Sequence, residues 1–181
     1  MTLITKKPES NTSKMRSIIT KSAKKTQKFS GELARKLIKK SGSKSALVVA
    51  LEGELGSGKT TFIKGFSKAL GVRERVLSPT FVLIHRHKLT NNKKRQRFPA
   101  SHGNLRRAIT NNQLKNLYHI DAYRLKNEKE LTKLGIKEIF ANPKNIVLIE
   151  WADRVERAIP KSTTWIHFDH INESERKITI L

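Results

Sequence analysis

The chain has 181 residues, a formal net charge of +23 from 38 Lys and Arg against 15 Asp and Glu, and no cysteine. That length suits one domain with a real core, and the missing thiols exclude a disulfide framework, a thiolate zinc site and a cysteine nucleophile. A charge of this size attracts polyanions such as RNA, unless it reflects no more than a lysine-rich background.

No run reaches the roughly 20 apolar residues of a membrane span, and the N-terminus lacks the apolar stretch of a signal peptide, so a soluble, cytoplasmic protein is expected. Residues 1–17 read as a disordered basic tail, since Lys6, Lys7, Lys14 and Arg16 accompany few large apolar groups. Their make-up also matches an organelle-targeting segment, although lysine stands where arginine is usual. From Thr26 to Lys40 the residues Phe29, Leu33, Leu37 and Ile38 recur at helical spacing, with Gly42 placed to stop the helix. Ala46–Leu51 is an apolar, β-branched run, the pattern of a strand buried on both faces of a parallel sheet. A glycine-rich turn follows, then a helix over Lys59–Leu70 with Phe62, Ile63, Phe66 and Leu70 on one stripe and Gly71 as its stop.

Strands are read at Phe81–Ile84, Leu117–Ile120 and Ile146–Ile149, the last wholly apolar and central. Short helices are read at Glu128–Leu134 and Arg154–Ala158, and Trp165–His170 with Lys177–Leu181 forms a closing antiparallel hairpin around Asn172–Arg176. Between Arg86 and Lys115 the periodicity vanishes. No Asp or Glu occurs from Arg75 through Ile120, so the insertion at about 88–115 is a concentrated positive loop. The class is α/β, with residues 18–181 as one domain.

The chemistry concentrates in Gly53-Glu54-Leu55-Gly56-Ser57-Gly58-Lys59-Thr60, two glycines five apart followed by Lys and Thr, between a buried strand and a helix. Glycines let the backbone curl and bring its N–H groups against phosphate oxygens, at the positive end of the following helix. Lys59 supplies a point charge for β and γ phosphates, and the Thr60 hydroxyl is a hard ligand for magnesium. Such a metal also needs a carboxylate at the end of a neighbouring strand. Glu150 and Asp121 both qualify; Glu150 is assigned to the metal and Asp121 to the water or the γ phosphate, with a solvated strand end as the alternative for either. In Ser78-Pro79-Thr80-Phe81 a hydroxyl and a fixed turn suit a segment that senses the γ phosphate, with a plain turn as the alternative. His85 and His87 alternate on one strand face, with His102 and His119 elsewhere, so a metal site is conceivable, but no acid or thiolate shares that region and none is assigned.

Taken together, these residues resemble the TsaE family, the bacterial ATPases of tRNA threonylcarbamoyladenosine modification. The resemblance runs from about Ile18 to Leu181 through Leu51 to Phe62, Ser78-Pro79-Thr80-Phe81, His119-Ile120-Asp121-Ala122-Tyr123-Arg124-Leu125, Glu130-Leu131, Leu134-Gly135-Ile136 and Leu148-Ile149-Glu150-Trp151. It implies a three-layer P-loop fold with a mostly parallel central sheet and a C-terminal antiparallel hairpin. It also implies slow, ATP- and Mg2+-dependent hydrolysis that serves turnover of a complex with the proteins TsaB and TsaD. By this resemblance Asp121, Lys59 and Thr80 are catalytic, and Thr60 and Glu150 hold the metal. Thr26, Gly53 to Thr61 and Arg176 bind nucleotide, Thr61 as the residue that follows the motif. The family usually joins the Ser-Pro-Thr-Phe strand to the Asp strand by a short hairpin, where this chain has its basic insertion; tRNA contact through that insertion is one expectation, and a tolerated, disordered surface loop is the other. A GTPase is disfavoured because neither Asn-Lys-x-Asp nor Asp-x-x-Gly occurs, and a small kinase because no arginine-bearing lid is found. A basic RNA-binding protein with a degenerate nucleotide site is the rival of a different class.

Overall fold

The computed structural model describes residues 16–40, 44–72, 83–89 and 113–181. Most of the basic tail, Gly42, the Ser78-Pro79-Thr80-Phe81 segment and residues 90–112 of the insertion lie outside the described residues. The described residues open at Arg16 with a strand, β1 (Arg16–Thr20), so Arg16 and Ser17, read as part of the tail, belong to the sheet. The amphipathic stripe forms α1 (Ala23–Lys40), and at its start Ser22 Oγ accepts from Lys25 N at 3.2 Å, satisfying an amide that has no intrahelical partner.

The apolar run is β2 (Leu47–Gly53), and α2 (Lys59–Ala69) follows the glycine loop. Beyond them come β3 (Ile84–Lys88), β4 (Asn116–Asp121), α3 (Glu128–Lys133), α4 (Ile136–Ala141) and β5 (Asn145–Glu150). A 3-10 segment, Ala152–Ala158, leads to β6 (Thr164–His170) and β7 (Arg176–Ile180). One sheet has the order β1-β7-β6-β2-β5-β4-β3. Its inner strands β6, β2, β5 and β4 are parallel, while β7 and β1 extend one edge and β3 the other in antiparallel fashion.

Two apolar clusters make this a three-layer fold. Val49, Leu51, Leu117, Leu148 and Ile166 face α1 and α2, whereas Val48, Ala50, Ile120, Val147 and Ile149 face α3, α4 and the 3-10 segment. All six residues of β5 are buried, as its unbroken apolar sequence predicts for the middle of a parallel sheet. The first layer is tight: a Cβ at Gly65 of α2 would collide with Ser30 Oγ and the Gln27 backbone of α1.

Two readings need correction. The strand expected at Phe81–Ile84 starts, within the described residues, at Ile84 and runs to Lys88, so Arg86, His87 and Lys88 are strand rather than loop. The ladder with β4, from Ile84 opposite Ile120 to Lys88 opposite Asn116, overrides their weak apolar pattern. It is closed by Leu89 N donating to Lys115 O at 2.7 Å, with Leu89 and Leu114 buried beside it. The helix expected at Arg154–Ala158 is a 3-10 segment kinked at Val155 (φ −132°, ψ 23°). No helix among the described residues is long and apolar enough to cross a membrane.

Candidate functional site

The ends of β2, β4 and β5 meet at one edge of the sheet, where Leu51 registers with Glu150 and Asp121 with Glu150. The loop from Gly53 to Gly58 leaves that edge and enters α2. Gly53 has φ +128°, and a Cβ there would strike the carbonyl oxygen of Phe168 on β6, so only glycine fits. Ser57 N returns to Glu54 O at 3.2 Å, and Gly58, in the left-handed region, caps α2 as Phe62 N donates to its carbonyl at 2.9 Å. The result is a curl of amides at a helix N-terminus, the arrangement that favours an anion.

Lys59 opens α2 and lies back over the loop. Its Nζ donates to Gly53 O at 2.6 Å and Glu54 O at 2.9 Å, and sits 3.8 Å from the centroid of the Trp151 ring. Trp151 reaches that place because it takes left-handed backbone angles (φ 57°, ψ 41°) directly after β5, turning its ring toward the loop. Burial pushes the Lys59 ammonium below its usual range, and the carboxylates of Glu150, Asp153 and Asp121 draw it part of the way back. A buried cation facing three acids is an arrangement found where charge is handled.

One helical position further, Thr60 Oγ1 donates to Glu150 Oε2 at 2.8 Å. The other carboxylate oxygen, Oε1, lies 2.8 Å from His119 Nε2. Asp121, beside Glu150 and likewise buried, accepts from Tyr123 N at 3.0 Å. The Thr60 hydroxyl and Glu150 carboxylate converge as hard oxygen donors next to the amide curl. This donor set suits a small divalent cation shared with phosphate oxygens.

Arg176, at the start of β7, bridges the hairpin to the loop. Its Nε donates to Gly56 O at 3.3 Å, and one terminal nitrogen donates to the carbonyls of Asn172 and Glu175. Thr26 is buried against β1 and shares a 2.7 Å hydroxyl contact with Thr20, whose hydroxyl also reaches Arg176 O at 3.5 Å. Thr61 stands in the first turn of α2, and Leu55 projects from the loop at 83% exposure. Thr80 lies outside the described residues. The geometry therefore joins Thr60 to Glu150 directly, lays Lys59 over the loop beside them, ties Arg176 to Gly56, and sets Thr26 two contacts beyond Arg176, through Thr20.

Sequence reasoning missed Thr20 and His119. The first belongs to a strand that carries almost no apolar burial. The second lies within the quoted His119-Ile120-Asp121 run, where its partner, 31 residues away, could be found only by aligning the two parallel strands.

The comparisons with known proteins agree with one another. The family model described as threonylcarbamoyl adenosine biosynthesis protein TsaE matches residues 20–178. The tRNA threonylcarbamoyladenosine biosynthesis protein TsaE of Bacillus subtilis is 35% identical over 132 residues, 73% of this chain and 67% of that one. Its namesake from Treponema pallidum is 32% identical over 133 residues, 74% of this chain and 80% of that one. The crystal structure of Bacillus subtilis YdiB matches with a TM-score of 0.64 at 27% identity, covering 94% of this chain and 87% of that one. With the glycine loop, the paired strand-end acids and the closing hairpin all in that frame, the chain belongs to the TsaE family.

Proposed function

We propose that this chain is a Mg2+-dependent ATPase acting in tRNA threonylcarbamoyladenosine biosynthesis in the cytoplasm, where its hydrolysis supports turnover of a TsaB–TsaD complex. The observation that carries the reading is the 2.8 Å contact between Thr60 and Glu150 beside the Lys59 ammonium and the amide curl. In this reading the loop amides and Lys59 bind the β and γ phosphates, and Thr60 and Glu150 hold Mg2+, which screens phosphate charge when bound. Asp121 orients the attacking water or the γ phosphate, Thr80 senses that phosphate, and Thr26 and Arg176 flank the nucleotide. Family membership supports the pathway, and the cation excess of the insertion supports contact with tRNA in the assembled complex.

Calorimetry of the purified chain with Mg-ATP tests the site. Binding is expected, with Lys59→Ala weakening it by at least about tenfold, roughly 1.4 kcal/mol. No heat of association, or an unaltered Lys59→Ala variant, would overturn the proposal. Nucleoside analysis of tRNA from cells lacking the protein tests the pathway, and threonylcarbamoyladenosine at undiminished levels would remove it.

A further inference from the structure

The Glu150 carboxylate is gripped from both sides. Thr60 Oγ1 donates to Oε2 and His119 Nε2 lies against Oε1, each at 2.8 Å. Glu150 is almost fully buried and His119 entirely so. A carboxylate only accepts, so the ring proton on this side belongs to Nε2. The ring's other nitrogen, Nδ1, is buried with no hydrogen-bond partner, so among the described residues the contact to Glu150 is the polar tie that fixes the imidazole. His119 stands on β4 opposite Leu148 of β5, and Asp121, two residues on, stands opposite Glu150. The imidazole therefore reaches diagonally along the same sheet face to the acid at the strand's end.

We infer that His119 is a positioning residue for the metal carboxylate: it anchors Glu150 Oε1 so that Oε2 faces Thr60 whether or not the Thr60 hydroxyl is engaged elsewhere. The two grips are not equivalent. Thr60 stands in the first turn of α2 beside the phosphate loop, and its oxygen is itself a candidate metal ligand, so its bond to Glu150 is the one that gives way when that oxygen is used. His119 holds the other carboxylate oxygen from β4, fully buried, and with its proton on Nε2 that nitrogen is no metal ligand, so its bond has no such competitor. A carboxylate released by Thr60 and lacking His119 would be free to rotate about its terminal torsion, which is broad and unrestrained on its own. A ligand oriented by a second hydrogen bond binds metal more tightly, and removing such a partner usually lowers metal affinity by about tenfold to a hundredfold.

This inference rests on the reading of Glu150 as a Mg2+ ligand, and the test separates the two. The affinity of the intact chain for ADP is measured by calorimetry across a series of Mg2+ concentrations and in a chelator, for wild type, His119→Leu, His119→Gln and His119→Asn. Gln can place an amide N–H near the position of Nε2, whereas Asn is too short to reach Oε1.

Mg2+ should tighten nucleotide binding by wild type. His119→Leu and His119→Asn should need about tenfold or more Mg2+ for the same tightening, His119→Gln should stay within about threefold of wild type, and all four should bind alike in chelator. If wild type itself gains nothing from Mg2+, the metal reading of Glu150 falls and the inference with it. If wild type responds and His119→Asn matches His119→Gln, the positioning role alone is wrong. The Asn and Gln pair keeps the test decisive should His119→Leu fail to fold.

Discussion

Thr60 meets Glu150 across the mouth of the site, so replacing it with the near-isosteric Val removes one hydroxyl and little else. Thr60→Val should abolish most of the Mg2+-dependent gain in nucleotide affinity. It should also cost about 1–3 kcal/mol of stability, because a buried carboxylate oxygen loses its donor. Unchanged unfolding and an unchanged Mg2+ response would refute the pairing. A second titratable cluster lies at the end of β2, where the His167 ring contacts Glu52 at 2.9 Å and Asp169 at 3.1 Å. Burial alone would lower this imidazole, but the hydrogen bonds to the two acids outweigh it and raise the folded value. The folded state thus binds the proton more tightly than the unfolded chain. The stabilisation is complete below about pH 6.5, the unfolded value, and fades as pH rises through the higher folded one. The thermal midpoint should therefore fall on going from pH 6 to pH 8 more steeply in wild type than in His167→Gln, with parallel curves as the refuting outcome; the effect is modest because the ring is 40% exposed. Lys59, Thr60 and Glu150 were legible from the sequence because each follows from a local rule of loop, helix start or strand end. His119 was not, since nothing in a one-dimensional pattern distinguishes a histidine that satisfies a buried acid from one that fills a strand.

The two helices over the first apolar cluster approach through Gly65, Ser30 and Gly31. Gly65→Ala would prise α1 from α2. It should lower stability in urea by about 1–3 kcal/mol, in the manner of overpacking rather than of helix propensity, which would favour alanine by about 1 kcal/mol. A stabilised variant would show that the crossing is looser than described. Elements with a strong apolar signal, a stripe in α1 and α2 and an unbroken run in β2 and β5, were readable and differ from their expected bounds by three residues or fewer. β1 was hidden because Ile18 and Ile19 are 39% and 53% exposed, so its pairing with β7 comes from the backbone and not from burial. α4 was hidden because six residues after a left-handed Gly135 are too few to show a helical period.

Across the chain as a whole, the acid-free insertion at about 88–115 stands apart in sequence from the nucleotide loop. Replacing residues 91–111 with a short Gly-Ser linker should leave Mg-ATP affinity intact. The same change should weaken tRNA binding by the chain with its proposed partners, reducing the slope of log affinity against log salt by about one for each phosphate that is no longer neutralised. An identical slope would leave the insertion without a role in tRNA recognition. That such a replacement is feasible follows from the Leu89–Lys115 hydrogen bond and the buried Leu89 and Leu114, which seal the ladder before the chain departs and after it returns. β3 lies at the far edge of the sheet from β2 and its loop, with β4 and β5 between them. The junction thus behaves as a socket. Peptides of other lengths and chemistries plugged into it should leave the machinery at the opposite end of β4 untouched.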